Sequence, residues 1–386
     1  MPESSRPLTA HEVKQLEPVA ASEPLPTDIS TMLGTFFVSS DVDKKPEVTS
    51  QVTPVEESLL LEKNDDLLTY RIDVKVTRHN FYVKRLLPNI PIKLFKYEDF
   101  TVHHLDPSTG GYRPAFLDLN YVPRHHKGPS TRRRHMVNSK GKIVSNIFPP
   151  DHRYIFNDTS FPWCTVGRVT TDAGSGTGVM IGPRHLLTVS HVVVWNSDNT
   201  AGWLQFAPSY FNGNTPFGVA NAQLTYFYQK NPDRLTNIQI AEDYVVCVLD
   251  QPLGNVTGWM GSRDYSEDWN NTGYWAHIGF SADLGGGVEP SYQSSVSFDD
   301  ADPAIDFDPG DVLGVPLGTP GLDMQHHASI TFGDSGGPFF GWWPQEPWPR
   351  VVGVQSAQDD NPQGPNWAGG GDPMVRLIQQ ARSEHP

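Results

Sequence analysis

Three short segments of this 386-residue chain hold residue types whose chemistry depends on one another. Leu186-Leu187-Thr188-Val189-Ser190-His191-Val192-Val193 is an apolar, strand-like run that reaches a histidine. Ala241-Glu242-Asp243-Tyr244-Val245-Val246-Cys247-Val248 opens a buried run with carboxylates. Gly333-Asp334-Ser335-Gly336-Gly337-Pro338 sets a serine among glycines. Singly, each is ordinary: a histidine at a strand end is usually a satisfied structural residue, and an aspartate before a strand is usually a turn residue. Together they supply a nucleophile, its base and the acid that orients the base. Serine attacks poorly at its own pKa and needs a neutral imidazole within hydrogen-bond reach to take its proton. A buried carboxylate fixes the tautomer of that imidazole and stabilises it once protonated. Glycines beside the serine let two main-chain N–H groups, those of Gly333 and Ser335, converge on a developing oxyanion.

The elements that must position these residues are mostly strands. From residue 160 onward, short runs rich in Val, Ile, Phe and Tyr alternate with Gly, Pro and Asn at intervals of about ten residues, the pattern of an all-β sandwich or barrel. Asp372 to Ser383 alone reads as a helix, with Asp372 as N-cap, Pro373 in the first turn and Met374, Leu377, Ile378 and Ala381 on one face. The same six residues around Ser335 also fit the Gly-x-Ser-x-Gly elbow of α/β-hydrolases, but there the acid and histidine follow the serine. Here the sole histidine after Ser335 is His385, and no βαβ alternation surrounds the serine, so the elbow reading fails.

Composition divides the chain. All ten tryptophans follow residue 162; residues 1–143 carry 20 Lys+Arg against 18 Asp+Glu, whereas residues 144–386 carry 9 against 26, so the overall charge of −15 belongs to the second part. Segment 1–68, rich in Pro, Glu, Ser and Thr, is expected to be largely disordered. Alternation at Tyr70-Arg71-Ile72-Asp73-Val74-Lys75-Val76 and Ile92-Lys93-Leu94-Phe95 predicts a small half-buried sheet within 69–121. The basic run Arg124-His125-His126-Lys127 and Arg132-Arg133-Arg134-His135 reads either as a protease-sensitive junction or as a solvated linker. No apolar run approaches the ~20 residues needed to span a bilayer. Met1 to Ser30 lacks the layout of a signal peptide, so the chain is expected to be intracellular unless its true start lies upstream. The acidic balance argues against nucleic acid as a partner, and a monomer without membrane association is expected.

In its order His191, Asp243, Ser335 the chain resembles the chymotrypsin-fold (trypsin-like) serine endopeptidases, most closely their bacterial-type glutamyl endopeptidase branch. Gly176-Thr177-Gly178-Val179, Met324-Gln325 and Val352-Gly353-Val354-Gln355-Ser356 extend the match over residues 143–386, and Val192 follows the histidine as in the bacterial-type members. The resemblance implies two antiparallel six-stranded β-barrels, 143–262 and 263–386, with a C-terminal helix, preceded by a partly disordered N-terminal region. It implies a serine-type endopeptidase acting on protein or peptide substrate without metal or organic cofactor: Ser335 as nucleophile, His191 as base, Asp243 as its orienting acid, Gly333 and Ser335 as the oxyanion hole, and Ser356 as support for Asp243. By alignment the specificity pocket falls on Ser329, Ile330, Ser356, Ala357 and Gln358, with Gln355 on its wall. Trypsin-like members have an aspartate where Ser329 stands, and glutamyl endopeptidases a threonine and a histidine where Ile330 and Gln355 stand. An uncharged side chain is therefore the expected substrate residue.

The family also gives meaning to Lys142-Ile143-Val144 and Asp334. Cleavage before Ile143 would free an ammonium to pair with the Asp334 carboxylate, making residues 1–142 the pro-region of a zymogen; a permanently attached regulatory region is the alternative. A protease-fold binding protein without activity is the alternative to the enzyme itself. The tryptophan-rich loop 341–349 is expected to pack onto the second barrel. The aspartates from Asp299 to Asp311 lack the terminal glutamate of a calcium loop, the His-His pairs lack metal-ligand spacing, and Cys164 and Cys247 are expected to be free, buried thiols.

Overall fold

β-Branched and aromatic residues at alternating positions fit a pleated, half-buried surface, and in the computed structural model they form two large sheets and a two-stranded one. The structure describes residues 6–24, 47–54, 70–77, 89–95, 108–128, 146–231, 235–306, 317–359 and 361–386. In the first sheet, Leu204–Pro208, Val166–Thr171, Gly174–Gly182, His185–Thr188, Val245–Leu249 and Ala220–Phe227 pair antiparallel in that order, and the last pairs back onto the first. Six strands thus close a barrel, although Ala220–Phe227 meets Leu204–Pro208 only at Ala220 and Asn221, which leaves its far end open to a further strand. Its interior is packed by Val169, Met180, Leu186, Phe206, Val245 and Leu249.

The second sheet runs Phe298–Asp306, Leu317–His326, Asn366–Gly370, Arg350–Gln358, Pro338–Gly341, Trp275–Gly279, Ser291–Val296 and Tyr154–Ile155. Among the described strands it is a half-barrel and not a second closed one. One residue, Ser297, separates Ser291–Val296 from Phe298–Asp306, and the latter turns away to hairpin with Leu317–His326 instead of completing the circuit. Phe298, Met324, Phe339, Val352 and Trp275 fill its concave face. A shared core that includes Val179, Val246, Ile278, Phe340, Val354 and the helix residues Met374, Leu377, Ile378 and Ala381 joins the two sheets.

That helix, Asp372–Glu384, buries the predicted face, but its cap differs from expectation. Gly371, with φ of 92°, makes the boundary, a conformation an L side chain resists, and Asp372 is the first helical residue, paired with Arg376. His185 Nε2 lies 3.1 Å from Ala381 O, tying the helix to the first barrel, and burial pushes the imidazole pKa down to about 4. Cys164 and Cys247 are free and buried. Trp343 packs against Trp269 and Trp275 in the second core as expected for the loop, whereas Trp342 faces elsewhere.

It faces the N-terminal region. Residues 6–24, part of the stretch expected to be disordered, fold onto the body: Val13 joins Leu117, Leu119, Phe161, Cys164 and Trp342 in one cluster. Leu8 N–H donates to Trp342 O at 2.7 Å, and Val19 pairs with Leu119. A short helix, Ala10–Val13, starts with a Thr9–Glu12 capping box. The small separate sheet expected within 69–121 is also revised. Ile90–Leu94 adds to the first sheet as a parallel neighbour of Ala220–Phe227, burying Ile90 and Phe95, and Ser108–Thr109 pairs with Gly261–Arg263 at the second sheet. Alternation gives the strand but not its partner, because partner choice is made by distant residues. Residues 34–88 form a compact unit of their own, containing an antiparallel hairpin of Glu47–Pro54 with Tyr70–Thr77.

Candidate active site

His191 sits in a 3-10 turn, Ser190–Val192, directly after the strand His185–Thr188. The turn is fixed through Ser190, whose hydroxyl donates to Gln229 O at 2.7 Å and accepts from Asn231 N–H at 3.1 Å. Asp243 lies between the helix Asn237–Ala241 and the buried strand Val245–Leu249, and is wholly buried. Its Oδ2 is 2.6 Å from His191 Nδ1, its Oδ1 accepts from the His191 main-chain N–H at 3.0 Å, and Ser356 Oγ donates to Oδ2 at 2.7 Å. Asn231 Nδ2 supplies a further bond at 3.1 Å to Oδ1. Burial alone would raise the pKa of this carboxyl, but His191 and these donors outweigh it and hold the pKa below its usual value. With Nδ1–H committed to a carboxylate, the neutral ring presents its lone pair at Nε2, and Ser335 Oγ stands 2.9 Å from that atom.

Ser335 lies on a tight turn built on two left-handed glycines. Gly333 has φ of 94° and Gly336 φ of 81°; a Cβ on either would sit 2.2 Å from Phe280 O or 2.3 Å from Thr177 O. Around the turn, Ala282 N–H donates to Phe332 O, Gly337 N–H to Asp334 O, and Thr177 N–H to Ser335 O, all at 2.8 Å. The N–H groups of Gly333 and Ser335 make no main-chain bond among the described residues. A histidine between a buried aspartate and a serine, carried on a closed barrel and a facing half-barrel with a C-terminal helix, decides the architecture.

The chain has the chymotrypsin fold.

The chymotrypsin-fold chain is similar to the glutamyl endopeptidase of Bacillus licheniformis, 28% identical over 120 residues that cover 31% of this chain and 37% of that protein. The chain thus spans little more than a third of the curated relative it matches. A solved Glu endopeptidase is 18% identical with a TM-score of 0.47, covering 61% of this chain and 99% of the other. The protease Anisep from Arthrobacter nicotinovorans is 17% identical with a TM-score of 0.38, covering 57% and 93%. No protein-family profile matches the chain.

The remaining predicted site residues are distributed unevenly. Ser356 is spent on Asp243. Ser329 and Ile330 are 1% and 2% exposed and lie against the segment just before the first barrel: Ser329 Oγ accepts from Phe148 N–H at 3.1 Å, and Ile330 pairs with Asn146. Ala357 and Gln358 are half-buried on the strand Arg350–Gln358, while Phe332, beside the Ser335 turn, is 55% exposed. Gln355 is buried, with Nε2 donating to Ala357 O at 2.9 Å. Ile143 lies outside the described residues, as do Asp308 and Asp311 of the acidic stretch. Among the described residues no cluster of His, Cys, Asp and Glu could hold a metal ion. Sequence reasoning missed Asn231, a loop residue with no motif around it, and Asn146, whose Nδ2 bonds Asn366 Oδ1 at 3.1 Å.

Asp334 is fully buried and is held by neutral donors. Ser281 Oγ donates to Oδ1 at 2.7 Å and Thr331 N–H to Oδ2 at 2.8 Å, and among the described residues no cation comes within ion-pair distance. Burial pushes its pKa up to about 7, against the field of Arg153, which is itself paired with Asp151 and Asp283. A carboxyl whose folded pKa is raised holds its proton more tightly in the fold, so its contribution to stability is complete near pH 4 and lost as pH rises towards 7. In the intact chain, Asp334→Asn should therefore become steadily more stable relative to wild type between pH 4.5 and 7.5 in urea unfolding. Parallel stability curves for the two proteins would contradict the placement of a strained carboxyl here.

Proposed function

We propose that the chain is a serine endopeptidase that works through an acyl-enzyme. The observation that carries this reading is the continuous line from Asp243 Oδ2 through His191 to Ser335 Oγ, with steps of 2.6 and 2.9 Å. Ser335 Oγ attacks the scissile carbonyl carbon while its proton passes to His191 Nε2. The carbonyl oxygen takes the negative charge, which the N–H groups of Gly333 and Ser335 receive. Collapse of this intermediate breaks the C–N bond, and the proton on Nε2 leaves with the amine. Water, deprotonated by Nε2, then attacks the ester, and the reverse collapse frees the acid and restores Ser335. Asp243 orients the ring and stabilises its positive charge without taking the proton.

For the residue before the cleaved bond, Ser329, Ile330 and the amide of Gln355 favour an uncharged side chain. The matched relative is named for glutamyl specificity, but Ile330 and Gln355 offer no charge to hold a substrate carboxylate. An inactive, protease-fold binding protein is the alternative from another class. A complete triad argues against it, since binding alone requires none of the three side chains.

A peptide library should be cut by the purified protein after uncharged residues, with Ser335→Ala and His191→Ala lowering the rate by about 10⁴-fold or more and Asp243→Asn by about 10⁴-fold. An active-site phosphonate should label wild type at Ser335 and neither of the first two variants. Strict cleavage after Glu or Arg overturns the pocket assignment; a folded protein that is neither labelled nor active favours the binding module.

We further propose that cleavage before Ile143 activates the chain. Two residues, Val144 and Ser145, separate Ile143 from Asn146, so the extended reach between them is three steps of chain, about 10 Å. Asn146 pairs with Ile330, next to the Thr331 N–H that binds Asp334. An ammonium delivered there would give Asp334 the counter-charge that Ser281 and Thr331 do not supply. The upstream region should nevertheless stay with the body after the cut. It contributes the strand Ile90–Leu94 to the first sheet, the two-residue strand Ser108–Thr109 to the second, and Val13, Leu117 and Leu119 to the cluster around Trp342. N-terminal sequencing of the active species should read Ile143, with residues upstream of the cut co-eluting in native size-exclusion chromatography. Full activity in an intact chain contradicts the activation step, and a leader that separates without denaturant contradicts its retention.

A further inference from the structure

We propose that Thr177, on the first barrel, is a positioning residue that holds the oxyanion turn of the second sheet in its working shape; this rests on the endopeptidase reading above. Thr177 is fully buried and lies on the strand Gly174–Gly182, at the face opposite Ser335. Its hydroxyl donates to Gly333 O at 2.7 Å and accepts from Phe280 N–H at 3.0 Å. Its main-chain N–H donates to Ser335 O at 2.8 Å, and its own carbonyl accepts from Thr188 Oγ1 at 2.8 Å. One residue therefore grips the carbonyls on either side of Asp334, and both its hydroxyl and its main chain are used.

The geometry of the peptide bond makes this grip matter. In a planar trans peptide the C=O and N–H point in opposite directions, so holding a carbonyl fixes the N–H of the next residue. Phe332 O, held by Ala282, fixes Gly333 N–H, and Asp334 O, held by Gly337, fixes Ser335 N–H. The intervening peptide, from Gly333 to Asp334, is held at its N–H, which Asp334 donates to Thr331 O at 3.1 Å, but among the described residues its carbonyl has no main-chain donor; the Thr177 hydroxyl secures that end. Gly333, with φ of 94° and no side chain, opposes rotation of that peptide weakly. Were it to turn, the two N–H groups on either side would no longer converge on one oxygen. The bond also crosses from one sheet to the other, so it couples barrel docking to the shape of the hole. A hydroxyl is required because the position must donate to one group and accept from another, which valine cannot do and serine can.

The test compares Thr177→Val, Thr177→Ser and, as a control for loss of a buried hydroxyl elsewhere, Thr225→Val, in whichever form of wild type is active. Thr225 is buried in the first barrel and its hydroxyl meets Cys247 Sγ. Loss of one oxyanion donor costs about 10²–10³ in kcat. A loosened hole should cost about 10–100-fold in kcat for a peptide amide with KM nearly unchanged. Binding of a peptide aldehyde, whose adduct places an oxyanion in the hole, should weaken in parallel. Thr177→Ser should recover most of both losses, and Thr225→Val should show neither. Equal kcat and aldehyde affinity in wild type and Thr177→Val overturn the inference, as does a loss that Thr225→Val shares at matched stability. Absence of turnover in wild type overturns the endopeptidase reading first and this inference with it.

Discussion

The site depends on keeping one carboxylate charged where no water reaches it. An isolated buried aspartate would take up a proton or unfold its surroundings. Asp243 stays ionised because four donors meet it: the ring and main chain of His191, the Asn231 amide and the Ser356 hydroxyl. Those donors come from three places: the turn after His185–Thr188, the loop after Ala220–Phe227, and the strand Arg350–Gln358 of the other sheet. Satisfying Asp243 therefore requires both sheets to dock, and the same docking delivers Ser335 to His191. The charge that orients the His191 ring and the packing that brings His191 to Ser335 are one constraint.

The second carboxylate of the site, Asp334, is treated differently. It is equally buried, but its hydrogen-bond partners are a hydroxyl and a main-chain N–H, and among the described residues no cation forms an ion pair with it. Two aspartates less than a hundred positions apart thus sit at opposite ends of the carboxyl range, one held ionised by His191 and one poised near neutrality by burial. That contrast links the described structure to the unpaired ammonium that a cut before Ile143 would create. It also explains why Gly279 faces this position, since a Cβ there would lie 2.1 Å from Asp334 Oδ1.

That His191, Asp243 and Ser335 belong together was legible in the sequence because each sits beside a short-range signal: an apolar strand before His191, a buried strand after Asp243, glycines around Ser335. The C-terminal helix was legible for the same reason, from its spacing of Met374, Leu377, Ile378 and Ala381. What sequence alone did not reveal is long-range. Asn231 and Thr177 acquire roles only when the two sheets face each other, and nothing local marks either as more than a polar loop residue and a polar strand residue. Ile90–Leu94 was readable as a strand but not as a neighbour of Ala220–Phe227, more than a hundred residues away. Residues 6–24 were read as disordered because their apolar residues are few; Val13 is stabilised by Trp342, Leu119 and Phe161, surface that the rest of the chain supplies. The second barrel was expected closed from family likeness, and only the pairing of Phe298–Asp306 with Leu317–His326 reveals the half-barrel.

The proposed chemistry requires Ser335, activated by His191 and Asp243, to form a covalent ester with its substrate. Intact mass spectrometry of the active protein, acid-quenched milliseconds after mixing with an activated peptide ester, tests it most directly. An added mass equal to one acyl group is expected, mapped by digestion to Ser335 and absent from His191→Ala. Unmodified protein during ongoing hydrolysis, or an adduct on any other residue, would contradict it.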